Sequence, residues 1–294
     1  MDSLALKTFA AIAKTGSFSL AAQELHLTQP AISKRLSSLE RQLNCTLFDR
    51  VGRKIQLTEA GRTLQPHATL ILSQLDQANQ ALQDLYGTVS GLLRMATSHH
   101  IGLHRLPFLL SQYAEEYPQV LLDIDFIDSE KAYDKVLHAE AELAIITLSP
   151  RPQPPIRQIK LWDDALVFVA NHKHPLHDGR PHSIEELSQH RAILPGLNTY
   201  TGQIVSGLFA DAQLKLDSSM ATNYLETIKM MASIGLGWSV IPASMVDDSL
   251  KIIDLEGVSI SRDLGYIFHQ ERSLSNAARR FIDLLNTQIE TSAG

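Results

Sequence analysis

The sequence predicts an α/β protein in three parts: a small basic helical head, a long linker helix, and a two-lobed α/β body. Three observations predict it. Charge is unevenly placed: residues 1–62 carry nine Lys/Arg against five Asp/Glu, a net +4, and residues 63–294 carry seventeen against twenty-seven, a net −10. Apolar residues recur at intervals of four and three from Leu64 to Leu85. Beyond residue 91, strand-like and helix-like runs alternate, the pattern of a sheet covered by helices. The 294 residues, 44% hydrophobic and 20% charged, provide for about two domains with sizeable cores and exclude a disordered or fibrous chain. No run of about 18 uncharged apolar residues is present, so no membrane partner is expected. The start, MDSLALKTFAAIAKTG, lacks a basic leader region, and the single Cys45 cannot form an internal disulfide, so a cytoplasmic location is expected.

A basic head on an acidic body fits a chain that meets a polyanion at one end. Within the head, Leu4, Leu6, Phe9, Ala10, Ile12 and Ala13 approximate a helical stripe that Gly16 can stop. Ser17 or Ser19 can cap a second helix over Leu20–Leu25, with Ala21-Ala22 permitting close packing. His26-Leu27 reads as a turn. Thr28 can cap a third helix that runs to about Leu43, with Pro30 in its first turn and Ile32, Leu36, Leu39 and Leu43 at helical spacing. Two helices about a short turn give helix-turn-helix geometry, in which the second helix offers its first residues to the major groove. Gln29 can read a base edge, Ser33 can donate or accept, and Lys34 and Arg35 can reach phosphate or guanine. Leu47-Phe48-Asp49-Arg50 and Ile55-Gln56-Leu57, about the Gly-containing turn Val51-Gly52-Arg53-Lys54, read as a β-hairpin wing with Arg50, Arg53 and Lys54 at its tip. On these residues alone, a plain three-helix bundle with a solvated charged face remains an equal alternative.

The run Phe18-Ser-Leu-Ala-Ala-Gln-Glu-Leu-His-Leu-Thr-Gln-Pro-Ala-Ile-Ser-Lys-Arg-Leu-Ser breaks that tie. Together with Leu39-Glu40, Leu47-Phe48-Asp49-Arg50 and Leu57-Thr58-Glu59-Ala60-Gly61, it resembles the LysR-type transcriptional regulators, over about sixty residues closely and over the rest loosely. The resemblance implies a winged helix-turn-helix, a linker helix and an effector-binding domain with a periplasmic-binding-protein-like fold. It also implies oligomeric binding to double-stranded operator DNA, commonly as a tetramer; a dimer is the smaller alternative, and RNA polymerase is a further candidate partner. The candidate DNA-contacting residues are Ser17, Phe18, Ser19, Thr28, Gln29, Pro30, Ala31, Ser33, Lys34, Arg35, Arg50, Arg53 and Lys54.

From Thr58 the chain reads helical to about Tyr86. Leu64, Ala68, Ile71, Leu75, Ala78, Leu82 and Leu85 form a heptad seam sustained for three repeats, which favours pairing with a second helix over packing on the same chain. Pro66 is expected to kink the helix near its start. The expected parts are therefore 1–60 for DNA binding, 61–90 for the linker, and 91–294 for the body.

In the body, strands are expected at Leu92–Thr97, Val120–Ile127 and Leu143–Leu148, with helices at Leu103–Glu116 and Glu130–Ala139 between them. A strand at Ala165–Ala170 crosses into a second lobe. That lobe holds helix Thr201–Ala210, strand Lys215–Ser218, helix Tyr224–Ser233 and strand Trp238–Ile241. Strand Leu264–His269 returns, and helix Ala277–Ile289 closes the first lobe. The expected lobes are 91–163 with 268–294, and 164–267. A cleft between them, at strand carboxyl ends and helix N-termini, favours polar or anionic ligands. Its candidate residues are Thr97, Ser98, His99, His100, Thr147, Asn198, Thr199, Thr201, Thr222 and Asn223. For any one hydroxyl, simple helix capping competes with ligand binding. The resemblance points to the same loops as the effector pocket. These loops hold no evident arginine except Arg105, so helix ends, hydroxyls and His100 would hold an acid.

Other signals fail. His100 and His104 can share a helical face, but two imidazoles without a nearby carboxylate or cysteine do not make a zinc site. His172, His174, His177 and His182 read as a solvated loop. Cys45 has no resolving partner and reads as an apolar thiol. Gly235-Leu-Gly237 lacks a third glycine and follows a helix rather than a strand, so it is no dinucleotide fingerprint. No cofactor is expected, and no nucleophile–base pair marks an enzyme.

Overall fold

The computed structural model describes residues 1–51, 54–85 and 87–292. The chain divides into two compact units, one built on Met1–Thr88 and one on Val89–Leu137 and Ala141–Gly294.

The first unit begins with α1 (Ser3–Thr15), α2 (Phe18–Glu24) and α3 (Gln29–Leu43). Each start is set by a short polar side chain. Asp2 accepts from the Ala5 N–H, Ser17 from Leu20 and Thr28 from Ala31. Gly16 and Asn44, both left-handed, end α1 and α3. Phe9, Ile12, Ala21, Ile32, Leu36, Leu39 and Leu47 make the core. The strands β1 (Phe48–Val51) and β2 (Lys54–Leu57) pair antiparallel as the expected hairpin. Helix α4 (Glu59–Asp84) follows, and the helix continues past Pro66.

Gly61, in the first turn of α4, shows why this position must lack a side chain. A Cβ there would lie 2.2 Å from the Leu47 carbonyl oxygen. Helix α4 thus leaves the wing at contact distance of backbone.

The second unit opens with β3 (Gly91–Thr97), α5 (His99–His104), α6 (Pro107–Glu116), β4 (Val120–Phe126), α7 (Ser129–Leu137) and β5 (Leu143–Thr147). One helix was expected where α5 and α6 stand. Pro107 has no N–H to continue the first helix and instead takes the first position of the second. The 15-residue β6 (Ile156–Ala170) comes next, then α8 (Ile184–Ser188), β7 (Ala192–Leu194) and α9 (Tyr200–Asp211). After these stand β8 (Ser218–Ala221), α10 (Leu225–Ser233), β9 (Ser239–Pro242), β10 (Lys251–Ile252), β11 (Ile260–His269) and α11 (Asn276–Ser292).

The large sheet runs β10-β6-β11-β5-β3-β4, with β9 also on β6. The strands β4, β3 and β5 are parallel, as the alternating order requires, whereas β11 is antiparallel to both β5 and β6. Every residue of β5 is buried. Leu143 and Ile145 face the core under α6 and α11, and Ala144 and Ile146 face the core under α7. Strand β6 behaves likewise in the second lobe. Leu166 and Phe168 enter the core that contains Phe209 of α9, and Val169 enters the one that contains Ile228 of α10.

Three expectations need correction. Strand β8 lies three residues later than the expected Lys215–Ser218. Leu214 and Leu216 alternate with polar neighbours as a strand would, yet they precede it and pack on the second-lobe core. Strand β11 crosses between lobes earlier than residue 268. Ile260 packs on the second-lobe core, but Leu264, Tyr266 and Ile267 already belong to first-lobe cores. The histidine loop is not uniformly solvated. His182 is buried between Asp178 at 3.0 Å and Glu186 at 3.2 Å, and the His174 ring lies 4.9 Å from that of His190, tilted by 60°. No helix among the described residues is long and apolar enough to cross a membrane.

Candidate nucleic-acid interface and effector cleft

The head presents the expected face. Gln29, Pro30 and Lys34 are exposed at the start of α3, and Ala31, Ser33 and Arg35 are half-buried beside the buried Ile32 and Leu36. At the α2–α3 junction the exposed Ser19 hydroxyl donates to Gln29 Oε1 at 3.3 Å. That bond holds the Gln29 side chain in place at the outward end of the helix. Ser17 and Thr28 spend their hydroxyls as caps, and Phe18 packs against the head core, so these three also have structural work. Arg53 lies outside the described residues. For Arg50 and Lys54 only the strand backbone is described, and it places them on the hairpin.

Along α4 the seam splits in two. Leu64 and Ala68 pack on the head core, which corrects their assignment to a pairing surface. Ile71, Leu75, Leu82 and Leu85 are exposed, at 37%, 42%, 62% and 79%. An apolar row left open over four turns is what an unpartnered helix seam looks like.

In the second unit a small cavity of about 60 Å³ is lined by residues from β3–α5, β5, α7 and α9–α10. It brings together Ser98, His99, His100, Thr147, Thr199, Thr201 and Asn223, as expected. Thr97, Asn198 and Thr222 do not line it. The Thr97 hydroxyl donates to the Ile145 carbonyl at 2.9 Å, the Asn198 carbonyl accepts from Gln203, and the Thr222 hydroxyl accepts from the Tyr224 N–H. Unlike Thr199, Ser98 makes no side-chain cap to its helix. Asn223 accepts from the Gly196 N–H at 3.0 Å and so fixes the loop before α9.

Sequence reasoning missed three charged groups of this wall, of which Asp128 pairs with Lys131 at 3.0 Å. Arg262, on β11, corrects the expectation that the pocket lacks an arginine. It is buried, pairs with Asp164 of β6 at 2.7 Å, and donates from Nη1 to the Thr201 hydroxyl at 2.8 Å. Burial pushes its guanidinium pKa down, and the facing Asp164 opposes that shift. Glu130 accepts from the Tyr200 N–H at 2.5 Å. Burial raises its carboxyl, against the pull of the two backbone N–H groups that it meets. The expected Arg105 lies instead over the Trp162 ring, 5.5 Å from its centroid, and borders a separate groove of about 790 Å³. That groove is larger and also holds three serines with Arg105 and Lys229, but the smaller cavity is the candidate site because it gathers the predicted loops at the starts of α5 and α9.

His100 forms part of the cavity wall. Burial, reinforced by the Arg262 charge, lowers its pKa to about 4, so it is neutral at pH 7. Neither ring nitrogen has a hydrogen-bond partner among the described residues.

Comparison with known proteins gives two family matches. Residues 4–62 match the bacterial regulatory helix-turn-helix protein, lysR family, and residues 87–290 match the LysR substrate binding domain. The transcriptional activator CmpR of Synechocystis is 30% identical over 284 residues, which are 95% of this chain and 93% of CmpR. An uncharacterized regulator of Escherichia coli, YeiE, is 32% identical over 283 residues, 95% of this chain and 94% of YeiE. Among solved structures, full-length CbnR complexed with its target DNA superposes with a TM-score of 0.69 at 20% identity, covering 98% of this chain and 99% of CbnR. Full-length OxyR from Pseudomonas aeruginosa gives 0.71 at 22% identity, covering 98% and 94%. At these identities the two structures speak for the fold.

Proposed function

The chain belongs to the LysR-type transcriptional regulators, DNA-binding proteins with a substrate-binding domain and not enzymes, and from that membership we propose how its own residues divide the work. The start of α3 enters the major groove. Gln29 and Ser33 read base edges, Lys34 and Arg35 hold phosphate or guanine, and Arg50, Arg53 and Lys54 of the wing meet the backbone. The exposed part of the α4 seam, from Ile71 to Leu85, pairs with a second copy and sets the spacing of two recognition helices. A tetramer, RNA polymerase contact and a cytoplasmic location extend the same reading.

The effector is a compact polar metabolite carrying an anionic group. The convergence of Ser98, Thr199 and Thr201 with Arg262 on one interlobe cavity supports this most directly. Arg262 supplies positive charge, the Ser98 and Thr201 hydroxyls supply donors while Thr199 donates to the Gly196 carbonyl, and Glu130, with its raised pKa, can donate when protonated. Glu130 and Asp128, which also line the cavity, limit the anion to a small one, since bulk would press it against carboxylates. Ligand in the cavity favours one closure of the lobes. The shift in DNA binding cannot exceed the ligand's difference in affinity between the two closures.

The test is a promoter-binding titration with and without small acids. Gln29→Ala should narrow the gap between correct and altered operators. Arg53→Ala should weaken binding on all sequences and lower the salt slope by about one. Ser98→Ala should blunt the ligand response and leave unliganded DNA binding intact. A full response in Ser98→Ala would place the effector elsewhere.

A further inference from the structure

His100 and His104 stand four residues apart on α5, so both imidazoles project from one helical face, and their rings lie 4.9 Å apart. The carboxylate that the sequence did not reveal comes from α10: Glu226 Oε1 lies 3.1 Å from His104 Nε2. One ligand atom from each of the three residues lies within 4.8 Å of the other two. A tetrahedral ion about 2.1 Å from each donor needs donors roughly 3–4 Å apart, a difference that side-chain rotation can close.

We propose that His100, His104 and Glu226 form a binding site for a divalent first-row transition metal, with Zn²⁺ the best fit, that ties α5 of the first lobe to α10 of the second. Two neutral imidazoles and one carboxylate are a borderline-soft donor set. Buried His100, its ring nitrogens unpartnered, is a ligand in want of an acceptor for its lone pair. His104 is half exposed, so the fourth position opens to water. The positive charge of Arg262 acts on His100 and opposes a cation, and Asp164, 2.7 Å from Arg262, and Glu226 act in the opposite sense. His100 lines the small cavity, and His104 and Glu226 line the larger groove, so an ion here would staple the lobes at the cavity's edge. This site does not depend on the identity of the effector or the operator.

The experiment uses the full-length chain without an affinity tag, stripped by chelator and titrated with Zn²⁺ against a chromophoric competitor. One Zn²⁺ per chain is expected, with a rise in melting temperature that saturates at the same stoichiometry. His104→Asn and Glu226→Gln should each weaken binding by at least the ~10-fold that loss of an outer-shell partner alone can cost. The variant His172→Gln/His174→Gln should bind as the parent does. X-ray absorption on the Zn²⁺-loaded parent, which needs no variant to fold, should show two imidazoles with oxygen completing the shell. Zn²⁺ uptake unchanged by His104→Asn and Glu226→Gln, no uptake by the parent, or a shell with fewer than two imidazoles would each overturn the site.

Discussion

Arg262 and Asp164 face each other across the β6–β11 register although they stand 98 positions apart in the chain. Neither carried a sequence signal, because each is one charged residue in an otherwise ordinary strand, and only the crossing of the two strands makes them a pair. Both are buried, so removing one strands the other. Asp164→Ala should cost about 3–5 kcal/mol in urea unfolding, and a loss under 1 kcal/mol would mean that water reaches Arg262. The hydroxyls were easier to find, because a Ser or Thr before a helix announces itself. Which of them also cap was not legible: Thr199 does and Ser98 does not. Gly61 was visible only as part of a family motif, and the 2.2 Å approach to the Leu47 carbonyl supplies its physical cause. Gly61→Ala should therefore destabilise the head by about 1–3 kcal/mol and weaken operator binding with it. His174 belongs to the loop expected to be solvated. Burial, then the neighbouring His190 and His177 charges, lowers its pKa to about 4. The unfolded chain then binds the proton more readily, so stability is full above about pH 6.5 and is lost as pH falls through about 4. After a discount for screening at a partly exposed ring, His174→Gln should remove about 1 kcal/mol of the destabilisation between pH 7 and pH 5. An identical pH dependence in the variant would contradict the shift.

At the scale of elements, helices with caps were the most legible. Asp2, Ser17 and Thr28 start three helices, and Gly16 and Asn44 stop two, within a residue or two of where pattern places them. The short α8 went unread despite its capping box of Ser183 and Glu186, because a five-residue helix offers too little periodicity. The lobe crossing in β11 went unread because a strand passing between cores needs no turn residue there. Helix α4 shows the opposite failure: one unbroken heptad repeat serves two surfaces. Leu64 and Ala68 complete the head core, and the seam positions Ile71, Leu75, Leu82 and Leu85 stay open. The pairing account therefore locates its sensitive positions in the second half of the helix. Leu75→Asp should turn dimers into monomers in sedimentation with the head still folded, whereas Ala68→Asp should unfold the head. A Leu75→Asp chain that remains fully dimeric would assign the open row another role.

For the whole molecule, a net charge of −6 conceals a basic head and an acidic body, and the two units carry different chemistry. Charge placement and the helix-turn-helix run made the DNA-facing role readable from sequence. The interlobe cavity was readable as a set of loops but not as a charged site, since Arg262 and Glu130 join it only through tertiary packing. The measurement that bears most directly on the account is competition binding of the full-length chain to fragments of its source genome against random duplex, at moderate ionic strength, with and without pooled small metabolites. The account predicts a clear preference for a small set of genomic duplexes, lost on removal of residues 1–60 and altered by at least one metabolite fraction. Equal affinity for genomic and random duplex under every condition would contradict it.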